Sequence, residues 1–434
     1  MSDGQDLILE LVRKLHRDRE QERRFVPGET LVMPSGAALD EDDRAALVEA
    51  ALNLRIAAGV SATTFERRLS KTLHRRKVHL TNSGSSANLL ALTALTQAEL
   101  GDARLKPGDE VITVAAGFPT TVNPIVQNQM IPVFVDIELG TYNTTAERVA
   151  EAISPRTRAI MIAHALGNPF PVAEVAELAK ANGLFFVEDN CDAVGSTYQD
   201  QLTGTFGDFS TVSFYPAHHL TMGEGGCVTT DSVKLARVVE SLRDWGRDCW
   251  CEPGQCDTCG KRYTQQFAAL PAGYDHKYVF SHVGYNLKST DLHASLGLSQ
   301  LQRLPEFGES RRRNWRRLRE GLDGVPGLIL PSATPGSDPS WFGFIITVAA
   351  DAGFTRPEIV NFLEARRIGT RMLFAGNLTR QPAYANVGYR VSGSLDNSDV
   401  VTERTFWVGV FPGLTDEMID YVIASIRQFA HDRS

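Results

Sequence analysis

Apolar and polar positions along the chain fall into two alternating registers. Residues 1–25 set Leu7, Ile8, Leu11 and Leu15 at helical spacing among charged neighbours, which predicts a short amphipathic helix at the edge of the fold. From Phe25 to about residue 300, short β-branched or aromatic runs alternate with longer helical patterns; 111–115, 131–136, 159–163, 184–188, 211–214 and 226–229 read as strands. That alternation predicts an α/β domain with a mostly parallel sheet. Residues 324–340 are rich in Gly, Pro and Ser; beyond them 342–348 reads as a strand, 356–366 as a helix and 416–430 as a last helix, a smaller α+β domain. With the boundary on the long helical stretch around 295–322, the expected division is an N-terminal helical extension (1–27), a large domain (28–305) and a small C-terminal domain (306–434). No internal repeat and no low-complexity segment interrupts this plan.

A chain of 434 residues with 43 % hydrophobic content is long enough for two cores. The net charge of -8, from 52 acidic and 44 basic residues without a long run of either sign, gives no footprint for nucleic acid. The one basic cluster, Arg311, Arg312 and Arg313 followed by Arg316, Arg317 and Arg319, lies near Glu309 and Glu320 and is expected to be a solvated helix face. No apolar run is long enough to span a membrane, and the first residues lack a basic and apolar leader, so a cytoplasmic, reducing setting is expected. In that setting the six cysteines, 191, 227, 249, 251, 256 and 259, point to metal or cluster ligation ahead of disulfides, because four crowd into eleven residues.

Three segments carry candidate chemistry. Thr81-Asn82-Ser83-Gly84-Ser85-Ser86-Ala87-Asn88 opens an apolar helix, and a helix N-terminus with free amides and hydroxyls can cradle a phosphate; a plain Ser-rich helix cap is the competing reading. Phe185-Phe186-Val187-Glu188-Asp189 is a hydrophobic strand ending on a carboxylate, where ligands of α/β sheets sit. The protonated ring nitrogen of a pyridoxal-type cofactor would partner Asp189; capping of the next helix is the alternative. The third, Ser213-Phe214-Tyr215-Pro216-Ala217-His218-His219-Leu220-Thr221-Met222-Gly223-Glu224-Gly225-Gly226, is a strand that breaks into a glycine-rich turn and is not a dinucleotide fingerprint.

Together these segments resemble the sugar aminotransferases of fold type I, the DegT/DnrJ/EryC1/StrS family, whose members carry Ser-Phe-x-x-x-Lys-x-Leu-x-x-Gly-Glu-Gly-Gly at the third. The likeness covers most of the chain and includes Phe65-Glu66, Phe118-Pro119-Thr120-Thr121 and Gly284-Tyr285-Asn286. It implies the fold of the pyridoxal-phosphate-dependent transferases, with cofactor contacts at Ser85, Ser86, Phe118 (stacked on the ring), Asp189, Asp192 and Ser213. It also implies a homodimer in which Asn286 reaches the partner's phosphate. The family's lysine, which holds pyridoxal phosphate covalently, falls at His218, and an imidazole cannot form that bond. The cofactor is then expected as bound pyridoxamine phosphate, with His218 as proton carrier. Lysine-to-histidine replacement, with Tyr215-Pro216-Ala217-His218-His219, residues 243–248 and Gly273-Tyr274-Asp275-His276-Lys277, resembles the sugar 3-dehydrases of this family.

Some of those enzymes carry no cluster and others bind a 2Fe-2S centre. Cys191, Cys249, Cys251 and Cys259, separated by 57, 1 and 7 residues, match the spacing of the cluster-binding subtype, and such a cluster takes four thiolates. A zinc site of Cys249, Cys251, Cys256 and Cys259 is the alternative. The resemblance implies C3 deoxygenation of a nucleotide-linked 4-keto-6-deoxyhexose, with electrons from a separate flavin and iron-sulfur reductase or a ferredoxin or flavodoxin system. A thymidine-diphosphate 2,6-dideoxy sugar is preferred and a cytidine-diphosphate sugar is the other choice. Arg371 and Arg380 are expected to take the diphosphate. A cluster-free dehydrase and a non-catalytic ligand-binding homologue remain as alternatives.

Overall fold

A computed structural model describes residues 3–22, 24–251 and 255–433. Its large sheet has eight strands in the order Lys77–Thr81, Gly226–Thr230, Phe209–Ser213, Phe185–Asp189, Thr157–Ala163, Glu110–Val114, Ile131–Val135, Arg390–Val391. Gly226–Thr230 runs antiparallel to both its neighbours, and every other adjacent pair is parallel. Helices cover both faces, so the inner strands are buried and apolar at their centres: Val111, Ile112, Val133, Phe134, Ile160, Met161 and Ile162 are all fully buried. The six strands read from the pattern are present, with ends shifted by at most two residues.

A second, antiparallel sheet joins Leu328–Ile329, Gly343–Val348 and Thr405–Gly409. The last of these was not anticipated. It sits directly after the helix Asp396–Arg404 with no turn residue between, so the sequence offers no punctuation. The long helical stretch around 295–322 is two helices, Asp291–Leu301 and Leu304–Gly321, broken at Gln302-Arg303 ahead of Pro305. The second helix spans both cores: Phe307 packs with Leu69 and Met222, Leu318 with Phe344 and Ile426. The chain also crosses between cores elsewhere, since Phe25 and Val32 join the C-terminal core while Arg390–Val391 extends the large sheet. Among the described residues no helix is long and apolar enough to cross a membrane.

The N-terminal helix forms over Asp3–Glu22, but Leu7, Leu11 and Leu15 are exposed. It is pinned by its polar side, with Arg13 on Asp42 at 2.9 Å and Arg17 on Glu41 at 2.7 Å.

Candidate active site

A cavity of about 510 Å³ opens where the C-terminal ends of the parallel strands meet the small domain. At one end the helix Gly84–Ala94 begins. Ser83 caps it by accepting from the Ser86 amide at 3.1 Å, and a Cβ on Gly84 would stand 2.5 Å from Ser213 Cβ. Only glycine lets the helix start this close to Ser213, and the resulting cleft of Ser83, Gly84, Ser85 and Ser213 suits a phosphate.

The other end is Asp189. Its Oδ2 accepts from Asn88 Nδ2 at 2.8 Å and Thr121 Oγ1 at 2.7 Å, and its Oδ1 accepts from the Cys191 amide at 3.2 Å. Thr211 in turn donates to Asn88 at 2.5 Å. Among the described residues no Lys or Arg pairs with this buried carboxylate, so a cationic ring nitrogen fits the place left open to the cavity. Phe118 and Thr120 line one wall, with Phe118 edge-on to Phe374 at 6.4 Å.

His218 stands on the turn that follows Phe209–Ser213. Its Nδ1 lies 3.2 Å from Asp192 Oδ1, near enough for charge pairing but off-line for a hydrogen bond. Its ring is 5.2 Å from Phe342. The turn is braced from the helix Leu304–Gly321 by Arg311, which is 1 % exposed and donates to the carbonyls of His218 at 3.0 Å and Trp341 at 3.2 Å, with longer contacts to Ala217 and Phe342. Burial lowers the Arg311 guanidinium to about 10, opposed by the nearby Asp192 charge. The expectation of a solvated arginine face therefore fails at Arg311, which points inward, and holds at Arg316 and Arg317, which pair with Glu309 and Asp420 on the surface. Next door, burial holds the His219 imidazole well below its usual range, and its Nε2 lies 2.7 Å from the Ser340 carbonyl.

Of the expected contacts, Ser85, Phe118, Asp189, Cys191, Asp192, Ser213, His218 and Arg371 line this one cavity. Ser86 does not; its amide and hydroxyl are both taken by Ser83. Arg380 turns away to a bidentate pair with Asp399 at 2.7 and 3.1 Å and is exposed, so the small domain's fold spends it on itself. Asn286 is outside this chain's own cavity, in a backbone bridge with Asp244. Tyr215, Glu224, Phe342 and Trp407 also line the cavity; Tyr215 and Glu224 stand inside the glycine-rich turn, and Phe342 ends Asp338-Pro339-Ser340-Trp341-Phe342, a segment that suggests a nucleotide-sugar contact in the sequence, while Trp407 carried no signal. Among the described lining residues there is no lysine.

The cysteines divide. Cys249, Cys251 and Cys259 line one small pocket, on an arm that leaves the body at Gly246 and returns at Gly284. At that base Gly246 has φ +82° and any Cβ would strike the His282 carbonyl, while a Cβ on Gly284 would strike the Gly246 amide, so the two glycines let the two backbone segments lie against each other. Cys191 is elsewhere, under the cofactor cavity, where burial pushes its thiol well above the usual range. Cys191 thus lines one pocket and Cys249, Cys251 and Cys259 another, so the expected four-thiolate set does not line one pocket. Among the described residues no three His, Cys, Asp or Glu side chains stand in metal-holding geometry, which leaves the zinc set of Cys249, Cys251, Cys256 and Cys259 unassembled too. Cys256 is exposed beside Lys277 Nζ at 3.1 Å.

A parallel-centred sheet with a helix-start cradle, a buried aspartate at a strand end and a small domain closing the cavity defines a fold type I enzyme of the pyridoxal-phosphate class. Comparison with known proteins agrees. The DegT/DnrJ/EryC1/StrS aminotransferase family model matches residues 37–427, and the chain belongs to that family. It is 66 % identical over 427 residues, 98 % of this chain and 92 % of the relative, to a dTDP-4-dehydro-2,6-dideoxy-D-glucose 3-dehydratase of Saccharopolyspora spinosa. It is 52 % identical over 423 residues, 97 % of both chains, to the lipopolysaccharide biosynthesis protein RfbH of Salmonella typhimurium. The solved E. coli GDP-4-keto-6-deoxy-D-mannose-3-dehydratase with bound hydrated PLP superposes at a TM-score of 0.82 with 27 % identity, covering 91 % of this chain and 99 % of the other.

Proposed function

We propose that this chain is a cytoplasmic nucleotide-sugar 3-dehydrase that removes the C3 hydroxyl of a nucleotide-diphosphate 4-keto-6-deoxyhexose, using pyridoxamine phosphate and a 2Fe-2S cluster. The preferred substrate is thymidine-diphosphate 4-keto-2,6-dideoxy-D-glucose, which the 66 % identical relative supports; cytidine-diphosphate 4-keto-6-deoxy-D-glucose is the second choice. The observation that carries the reading is His218 beside Asp192 on the wall of a cavity that retains Asp189 and the helix cradle but has no lysine among its described lining residues.

Pyridoxamine phosphate, when bound, supplies an amine that joins the sugar's C4 carbonyl and a ring that accepts electron density. Asp189 keeps the proton on the ring nitrogen. Ser85, Ser213 and the helix amides hold the phosphate, Asn286 of a second copy completes that site in a homodimer, and Phe118 covers the ring. With Nδ1 turned to Asp192, His218 uses Nε2 to take a proton from the carbon next to the ring and to deliver one to the departing C3 oxygen. Arg371 is placed for the diphosphate. Replacing hydroxyl by hydrogen with release of water takes two electrons and two protons, hence a separate reductase as partner. The division at residues 27 and 305 belongs to the same proposal. A cluster-free dehydrase is favoured by the separation of Cys191 from the other three cysteines.

The test is anaerobic incubation of the purified protein with pyridoxamine phosphate, reductase and each sugar, followed by NMR of the product. The expected product lacks one oxygen, at C3, and His218→Asn lowers the rate by about 10²–10⁴-fold. A C4-amino sugar, or an unimpaired His218→Asn variant, would sink the reading. Iron and sulfide content separates the cluster-bearing form from the cluster-free one.

A further inference from the structure

One hydroxyl in the cofactor cavity comes from a segment that belongs to neither sheet. Ser35 lines the cavity from residues 32–38, which run from the small domain to the helices of the large one. Upstream, the Val32 amide donates to the Arg367 carbonyl at 2.8 Å and the Val32 carbonyl accepts from the Gly369 amide at 2.9 Å. Downstream, the Ala38 carbonyl accepts from Gln300 Nε2 at 3.2 Å and from the Arg303 guanidinium at 3.1 Å. Between these ties Pro34 is seated on two glycines: a Cβ on Gly409 would stand 2.5 Å from the Pro34 carbonyl oxygen, and one on Gly369 would stand 2.7 Å from Pro34 Cδ. The backbone alone therefore holds Ser35 in place.

Those glycines also fix where Ser35 emerges. Arg371 follows Gly369 by two residues and is bridged to Trp407, which precedes Gly409 by two. Arg371 and Trp407 both line the cavity, so Ser35 stands at their end of it, where Arg371 and Met372 are exposed to solvent. Its donors are unused. The Ser83 hydroxyl donates to Ser86 Oγ at 3.0 Å and the Ser213 hydroxyl accepts from the Tyr215 amide at 3.4 Å, whereas neither the hydroxyl nor the amide of Ser35 has a hydrogen-bond partner among the described residues. Arg371 gives one nitrogen to the Thr370 carbonyl at 2.8 Å, and the rest of its guanidinium has no partner among the described residues. Two unpaired donors beside a guanidinium suit an anion with several acceptor oxygens.

We propose that Ser35 is a further substrate-binding residue, which donates from its hydroxyl and its amide to the diphosphate of the nucleotide sugar beside Arg371. The assignment rests on the nucleotide-sugar reading above and deepens it. The helix cradle then takes the phosphate of the cofactor, and Ser35 with Arg371 takes that of the substrate. Because residues 32–38 join the two domains, the diphosphate is held where both of them meet the cavity.

The experiment titrates the full chain, loaded with pyridoxamine phosphate, with thymidine diphosphate, cytidine diphosphate and thymidine-diphosphate glucose, by calorimetry. Wild type, Ser35→Ala and Ser35→Thr are compared, and cofactor content and unfolding temperature are measured for each. Ser35→Ala is expected to weaken the preferred nucleoside diphosphate and its glucose ester alike, by about tenfold, the loss of one hydrogen bond to a charged group. Ser35→Thr, which keeps the hydroxyl, should recover most of that loss, and cofactor content should not change. Unaltered affinity in Ser35→Ala overturns the assignment while the proposed function stands. So does a loss confined to the glucose ester, which would place Ser35 on the sugar, or an equal loss of cofactor, which would make its effect general to the cavity. A wild type that binds none of the three overturns both.

Discussion

The cofactor cavity and the cysteine arm are held in place by different kinds of contact. Each side chain that matters in the cavity is fixed by partners far away in sequence: Asp189 by Asn88 and Thr121, His218 by Arg311 through its carbonyl, and the helix start by its approach to Ser213. The arm is fixed mainly from within. Cys249, Cys251, Cys259, Asp248 and His276 all lie between its two base glycines, and it presents Trp250, Tyr263, Tyr278 and Phe280 to the surface. A lesion in the cavity's supports is therefore expected to act on the whole molecule, and one in the arm to stay local.

The largest effect that would sharpen this contrast is at Arg311. Arg311→Met removes donors from the carbonyls of Ala217, His218, Trp341 and Phe342, which costs about 3 kcal/mol of stability. It also frees the His218 turn, so kcat should fall about tenfold to a hundredfold with a smaller change in KM. Arg311→Lys should recover part of kcat. Thermal unfolding and kcat and KM across pH check this; iron content should not change. A variant with normal kcat, or one that loses iron before it loses activity, would break the distinction between the two regions.

Acid probes the body through His79, on the strand Lys77–Thr81. Burial pushes its imidazole from the ordinary 6.5 down to about 3. The unfolded chain takes up this proton near pH 6.5 and the folded chain only near pH 3. The contribution is therefore complete above pH 6.5 and is lost as pH falls below it, by about 1.4 kcal/mol per unit, or about 2 kcal/mol at pH 5. His219, also depressed by burial, acts in the same direction. In a His79→Asn variant the drop in unfolding temperature between pH 7.5 and 5.5 should be smaller than in the wild type. Equal drops would mean that the ring is not buried neutral.

The same contrast explains what the sequence disclosed. Asp189 was legible because it ends a strand, and a strand end in a parallel sheet has a known place relative to the ligand, whereas Ser85 and His218 were legible through their positions in the family's motifs. The fold class was legible because periodicity is a local signal that the large sheet enforces. The separation of 57 residues between Cys191 and Cys249 carries no such geometry: residues distant in sequence meet only if the intervening fold brings them together, and here the two cysteines line different pockets. Arg311 was misread because its neighbours Arg312 and Arg313 are charged too, and only the docking of Leu304–Gly321 against the small domain decides which arginine faces inward.

The smallest expected effect concerns the two arginines assigned to the diphosphate. Arg371 lines the cavity, and its backbone is bridged to Trp407, so the strand Thr405–Gly409 holds it in position. Arg380 is 66 % exposed and already engaged by Asp399. Arg371→Ala should raise the KM for the nucleotide sugar about tenfold, the loss of one charge-assisted contact, with little change in kcat. Arg380→Ala should leave KM within about twofold, because an exposed pair contributes little and the side chain does not reach the cavity. If instead Arg380→Ala raises KM as much as Arg371→Ala, Asp399 must release Arg380 when substrate arrives. The small domain would then rearrange on binding, and the rigid support ascribed to the cavity would not extend to its substrate end.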